Sequence, residues 1–299
     1  MEQIFPILIL LLLGIVLRNF PAFPADTDKA LNLFVIHISL PALILLRVPQ
    51  LTFNIAVLVP VIMAWAACLF SALFVLLAAR TLSWSRETTG ALLLIVPLGN
   101  TSFLGIPMVR AFFGPGLISH ALLYDQFGSF LALSTYGSLI LSRYGHGGKN
   151  TLSGLLKKIF FFPPFLALIT ALFLGGNHYP RWLTSLLTQA ASSLVPVVMV
   201  AIGFQMRLLL PRADLLPFAV GLATRMLVVP LLFFFFCQTI GLHGPAVRVS
   251  IFETAMPPMV TAGAMASVAG LKPRLAAAMV GGGIFLAFVT LPFIYQLIQ

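Results

Sequence analysis

Three ionisable residues, Asp125, Arg225 and Glu253, stand inside long apolar runs of the 299-residue sequence. A charge in apolar surroundings is costly, so such residues pair with one another or mark a ligand or proton pathway. The planar fork of an arginine suits a carboxylate held by two hydrogen bonds. Two readings of Arg225 therefore stand side by side. In one it pairs permanently with Asp125 or Glu253; in the other it faces a cavity and holds a substrate carboxylate. Glu253 lies one turn before Pro257-Pro258 and is the candidate coupling group, with Asp125 beside it, because burial there makes the ionised form costly and suits proton exchange. Uncharged polar residues gather nearby: Asn100, Thr101 and Ser102 between Pro97 and Pro107, Gln126 next to Asp125, and Thr261 after Pro258. Cys68 and Cys237 lie in apolar runs with no CxxC or Cys/His spacing, so neither a disulfide, a metal site nor a cofactor is expected.

The elements that must position these residues follow from composition. The chain is 60% hydrophobic and 8% charged, with a mean hydropathy of +1.08. A soluble domain is roughly 45–50% apolar and about 25% charged, so this chain cannot cover a water-facing surface, and the bilayer is its expected solvent. The net charge of +10 does not point to nucleic acid, because the basic residues sit singly or in pairs between apolar runs. Residues 1–18 carry Glu2, no basic n-region and no small-residue cleavage site, which favours a first span over a signal peptide. Ten spans are predicted at 3–19, 27–47, 54–80, 87–112, 117–142, 154–175, 181–207, 213–240, 245–269 and 273–298.

Twelve of the 17 Lys and Arg residues (Arg18, Lys29, Arg80, Arg86, Arg143, Lys149, Lys157, Lys158, Arg207, Arg212, Lys272 and Arg274) fall in odd-numbered connections. Four, Arg47, Arg110, Arg181 and Arg248, fall in even ones. The positive-inside rule puts the odd connections in the cytoplasm and both termini outside. The chain then divides into 1–142 and 154–299 around a cytoplasmic connector at 143–153, two five-helix halves of opposite orientation. Pro41 in the second span would match Pro196 in the seventh, and Pro97 in the fourth would match Pro257 in the ninth.

The fourth and ninth spans are the most interrupted. Proline removes a backbone donor and clashes with the preceding turn, and groups freed at membrane depth must be satisfied by protein, water or ligand. Paired breaks in two halves point to a substrate site, and half-helix N-termini suit a carboxylate. The competing reading is a pair of proline kinks that only aid packing.

The stretch Gly99-Asn100-Thr101-Ser102-Phe103-Leu104-Gly105-Ile106-Pro107 resembles the fourth-helix motif of the auxin efflux carrier family. Glu253-Thr254-Ala255-Met256-Pro257-Pro258 resembles its ninth-helix motif, and Tyr124-Asp125-Gln126-Phe127-Gly128 its fifth helix. Length, span count and Pro41 extend the resemblance over the whole chain. It implies an all-α polytopic membrane protein with two inverted five-helix repeats, whose fourth and ninth helices break and cross. Helices 1, 2, 6 and 7 would form a scaffold, commonly a homodimer, and helices 3–5 and 8–10 a transport unit that moves like an elevator. The implied activity is secondary transport of small organic anions, as in prokaryotic permeases for malate. The implied substrate-binding residues are Asn100, Thr101, Ser102, Pro107, Asp125, Gln126, Arg225, Pro257, Pro258 and Thr261. The chain lacks the long hydrophilic middle loop of many plant auxin exporters and an acidic residue in its third span, which favours the compact permeases and a bacterial inner membrane. H⁺ or Na⁺ is the expected coupling ion.

Other classes compete. A sodium-coupled symporter of the bile-acid type would bind Na⁺ through Asn100, Thr101, Glu253 and Thr261. An auxin-like exporter would carry an aromatic carboxylate. An enzyme would need a nucleophile–base pair or metal cluster, and GxSxG, HExxH and a shared histidine spacing are absent. A sensor would leave the broken helices without a task. Gln189, Ser192 and Ser193 are expected between scaffold helices. His37 and Ser39 are expected in packing or at a cavity, and Phe160 to Phe162 as ordinary membrane aromatics.

Overall fold

The computed structural model describes residues 4–50, 57–145, 160–174, 179–206 and 210–299. Residues 146–153 of the expected connector, with Lys149, and also Lys157, Lys158 and Arg207 lie outside the described residues. Within them the chain forms twelve helices and no strand beyond one isolated bridge. These are α1 (Ile4–Leu17), α2 (Thr27–Gln50), α3 (Leu58–Thr81), α4 (Arg86–Ile95), α5 (Thr101–Phe113), α6 (118–144), α7 (Pro163–Leu174), α8 (Arg181–Gln205), α9 (Arg212–Thr239), α10 (Pro245–Thr254), α11 (Val260–Val268) and α12 (Pro273–Ile298).

Five of them, α2, α3, α8, α9 and α12, are long and apolar enough to cross a membrane. The expected fourth and ninth spans are each two shorter helices, α4 with α5 and α10 with α11. The cause is local: Pro97 and Pro257-Pro258 interrupt the ladders where the sequence predicts a break. Elsewhere proline widens a helix without ending it. Pro41, Pro107 and Pro230 each follow a π-type turn, at Val35–Ser39, Thr101–Gly105 and Thr224–Val228. A ring that displaces the carbonyl four residues back is accommodated by one wider turn, a form that often carries functional side chains. Two of these turns hold Thr101, Ser102 and Arg225. Ser85 starts α4 by accepting a hydrogen bond from the Thr88 N–H at 3.2 Å. Gly114, at φ 80°, ends α5 in a conformation that L side chains rarely adopt.

Packing separates two neighbourhoods. Helices α1, α2, α7 and α8 lie against one another, while α3, α6, α9, α10 and α12 surround α4, α5 and α11. α4 is buried from Thr88 to Ile95 and α10 from Val249 to Thr254, so the first half of each broken span sits inside the protein instead of facing lipid. Odd-numbered connections meet pairwise. Lys272 pairs with Asp214 at 3.2 Å, Arg18 donates to the Met206 carbonyl at 2.6 Å, and Arg86 donates to the Arg143 carbonyl at 2.5 Å.

Ser39 and Ser193 bond hydroxyl to hydroxyl at 2.7 Å between α2 and α8. Gln189 and Ser192 correct the expectation of packing between helices: both are exposed, and they bond within their own helix, Gln189 to Ser185 at 3.3 Å and Ser192 to the Gln189 carbonyl at 2.7 Å. Short polar side chains back-bond readily when no partner helix is near. A double-mutant cycle on Ser39→Ala and Ser193→Ala, read by unfolding in detergent–lipid micelles, is expected to give a coupling of about 0.6 kcal/mol.

Candidate functional site

The two breaks meet. Residues 96–100 and 255–259 run antiparallel and exchange hydrogen bonds, Asn100 N–H to the Pro257 carbonyl at 2.7 Å and Met259 N–H to the Leu98 carbonyl at 2.9 Å. Gly99 and Pro258 are the bridged pair. Each interrupted helix thus supplies part of what the other lost. The first halves, α4 and α10, end here with their carbonyls, and the second halves, α5 and α11, begin here with their N–H groups. Carbonyl ends carry partial negative charge and N–H ends partial positive charge.

Arg225 answers the carbonyls. Its guanidinium is 1% exposed and donates from Nε to the Met256 carbonyl at 3.0 Å, from Nη1 to the Pro97 carbonyl at 3.2 Å and from Nη2 to the Glu253 carbonyl at 3.5 Å. The Tyr124 hydroxyl lies against it as well. The partners of the guanidinium are thus main-chain oxygens of both breaks, not the Asp125 or Glu253 carboxylates that one sequence reading paired with it. The physical reason is supply: broken helices leave several acceptors in one place, and a planar fork reaches them together. A Cβ at Gly99 would run into Nη2 of Arg225, so the motif's first glycine is the room the guanidinium occupies.

Asp125, from α6, governs the start of α5. Its Oδ1 accepts from Thr101 Oγ1 and Ser102 Oγ, both at 2.5 Å, and its Oδ2 accepts from Gln126 Nε2 at 2.6 Å. The Asn100 carbonyl accepts the Gly105 N–H at 2.9 Å, while Nδ2 of Asn100, a residue 2% exposed, has no partner among the described residues. A cavity of about 130 Å³ opens beside these groups, between α2 and the crossing. Asn100, Ser102, Asp125 and Thr261 line it together with Ile36, Leu40, Phe103, Phe130, Leu133, Phe162, Met259 and Val260. Phe130 and Phe162, both in its wall, stack on one another with centroids 4.1 Å apart.

Of the sequence-predicted residues, Asn100, Ser102, Asp125 and Thr261 therefore share the cavity wall. Thr101 and Gln126 lie behind it on Asp125, Pro257 and Pro258 form the bridge, and Pro107 is buried in α5 away from the cavity. Arg225 and Glu253 are not among the lining residues. The apolar wall escaped sequence reading, including Phe162, which reads as an ordinary aromatic. A usable signal was present for Phe103 and Val260, which directly adjoin the two breaks. Among the described residues no group of three or more His, Cys, Asp or Glu could hold a metal, and both cysteines are free and buried.

Replacing Arg225 by leucine strands the buried Pro97 and Met256 carbonyls at about 1–3 kcal/mol each, while the Glu253 carbonyl keeps the Met256 N–H at 3.2 Å. Arg225→Leu is expected to unfold at markedly lower temperature than Arg225→Lys, which keeps one donor centre, and Gly99→Ala to fall between them. Thermal unfolding of the purified proteins measures the order, and a lysine variant as unstable as the leucine variant would refute the role.

The family described as membrane transport protein matches residues 1–295. An uncharacterized transporter of Methanocaldococcus jannaschii is 29% identical over 272 residues, covering 86% of this chain and 85% of that protein. An uncharacterized transporter of Methanothermobacter thermautotrophicus is 26% identical over 295 residues, 97% of this chain and 96% of that protein. With the match running almost end to end, and the crossing built from the motifs that carry the resemblance, the chain belongs to the membrane transport protein family, the auxin efflux carrier family.

Proposed function

We propose that the protein is a secondary transporter of small organic anions, and that the substrate carboxylate sits in the cavity at the crossing. The observation that carries this is the pairing of two unused donors on one wall. Asn100 Nδ2 has no partner among the described residues, and the first N–H groups of α11, at Val260 and Thr261, have none within their helix. A carboxylate placed there receives neutral hydrogen bonds and the positive end of a half-helix. The rest of the wall is apolar or aromatic, and none of the lining residues is cationic. The reading is therefore a single carboxylate on an apolar body, ahead of a dicarboxylate such as malate.

Elevator movement is part of the same proposal. The cavity lies between α2 and Phe162 on one side and α5, α6 and α11 on the other, so sliding the second group past the first would carry the site across the membrane. The Ser39–Ser193 bond supports the inverted repeat, since it joins positions just before Pro41 and Pro196. The homodimer through the scaffold, the plasma-membrane setting and the external termini belong to this reading as well, the last resting on the basic-residue count.

Counterflow in proteoliposomes tests it without knowledge of the coupling ion. Isovalerate and benzoate are expected to exchange faster than malate. Asn100→Leu, which removes a hydrogen bond to a charged group, is expected to raise the apparent KM about 10-fold or more. A well-folded native protein that exchanges none of the three acids would sink the reading.

A further inference from the structure

Glu253 is the buried group that the crossing leaves unexplained. Glu253 is 0% exposed, and among the described residues neither Oε1 nor Oε2 has a hydrogen-bond partner. It does not line the substrate cavity. Its carboxylate lies against the backbone of Gly105, where a Cβ would collide with Oε2. The groups that act on it are Asp125 and Tyr124 on α6 and Arg225 on α9. The other titratable groups on the helices packed against α10 are Cys68 and Arg80 on α3, Arg110 on α5, His120, Tyr136, Arg143 and Tyr144 on α6, Arg212, Asp214 and Cys237 on α9, and Arg274 and Tyr295 on α12. None of these acts on the carboxylate.

Asp125 stands near Glu253 as a second carboxylate, with its own oxygens taken by Thr101, Ser102 and Gln126. An ionised Glu253 would leave one unpaired negative charge with no donor in a water-poor interior, a state so costly that such groups take up a proton instead. Among the described residues the cation in reach is Arg225, whose donors hold the carbonyls of both breaks, the Glu253 carbonyl among them. We propose that Glu253 is a proton site separate from the substrate cavity, and that its proton decides whether Arg225 holds the crossing together. With the proton on, Arg225 stays on the carbonyls and the wall formed by Asn100 and α11 is assembled. With the proton off, the Glu253 carboxylate competes for the guanidinium and loosens that wall. One proton taken up at Glu253 from one side and released on the other then accompanies one substrate carboxylate, and the pair carries no net charge. The coupling half of this inference rests on the transport reading above; the proton site does not.

Two measurements test the halves. The chain has three glutamates, Glu2, Glu87 and Glu253, so Glu253 is the sole glutamate in an E2Q/E87Q background. Infrared spectra of that protein at neutral pH, with and without [¹³C]glutamate, are expected to show a protonated carboxylic acid band that shifts with the label. Absence of the band overturns the proton site, as does ²²Na⁺ binding that Glu253→Gln abolishes, which would make Glu253 a sodium ligand. In proteoliposomes, Glu253→Gln is expected to keep counterflow within about 2-fold and to lose pH-gradient-driven uptake by about 10-fold or more. Retention of both with unchanged pH dependence overturns the coupling. If native protein shows no counterflow, the transport reading fails, and the infrared band still decides the proton site.

Discussion

Two backbones are broken in a place with little water, and every exposed carbonyl there needs a donor. That constraint organises the centre of this protein. A freed carbonyl in hydrocarbon costs several kcal/mol, and the strands at 96–100 and 255–259 satisfy only part of the demand by bonding to each other. The remainder converges on Arg225, whose donors reach Pro97, Glu253 and Met256. An arginine is suited to this because it carries several donors in a plane and stays charged. Its charge also matches the field, since the carbonyl ends of α4 and α10 are the negative ends of their dipoles. Lysine offers one centre, and an amide lacks the reach and the charge.

What Arg225 does for the protein limits what it does for a ligand. A guanidinium committed to the main chain leaves the cavity with neutral donors, Asn100 and the start of α11. Asp125 takes the hydroxyls of Thr101 and Ser102 for itself, and so fixes the first turn of α5 without offering those groups to the cavity. A carrier must release what it binds. Neutral donors hold a carboxylate less tightly than a bidentate arginine fork, so the arrangement suits turnover better than a buried ion pair with substrate would.

The breaks, their polar residues and the whole-chain resemblance were legible because proline and the Asn100-Thr101-Ser102 run act over a few residues, and local rules govern such effects. Four of the residues picked on these grounds, Asn100, Ser102, Asp125 and Thr261, line one cavity. The partner of Arg225 was not legible. Sequence shows which side chains carry charge, so it offered Asp125, Glu253 or a ligand. It does not show main-chain acceptors, which exist only once two distant breaks have come together. The apolar wall was hidden for a different reason: Phe130, Leu133 and Phe162 look like any other lipid-facing residue in a chain that is 60% hydrophobic. Gln189 and Ser192 misled because a short polar side chain serves equally well between helices and on its own helix.

The charge balance at the crossing also bears on the moving step. A body that carries a net charge through the membrane field is driven or opposed by about 2.3 kcal/mol per charge per 100 mV. In the proposed elevator movement Arg225 on α9 and an ionised Asp125 on α6 would travel in one packed unit, and their formal charges would sum to zero. What remains is Glu253 and the substrate. In the proposed cycle a proton on Glu253 cancels one substrate carboxylate in the overall transfer, and the membrane potential then has no purchase on the complete cycle. The proposed proton site would also account for a carboxylate without hydrogen bonds at the centre of the protein: its neutral form needs no counter-ion, and among the described residues its ionised form has Arg225 to turn to, the cation that closes the crossing.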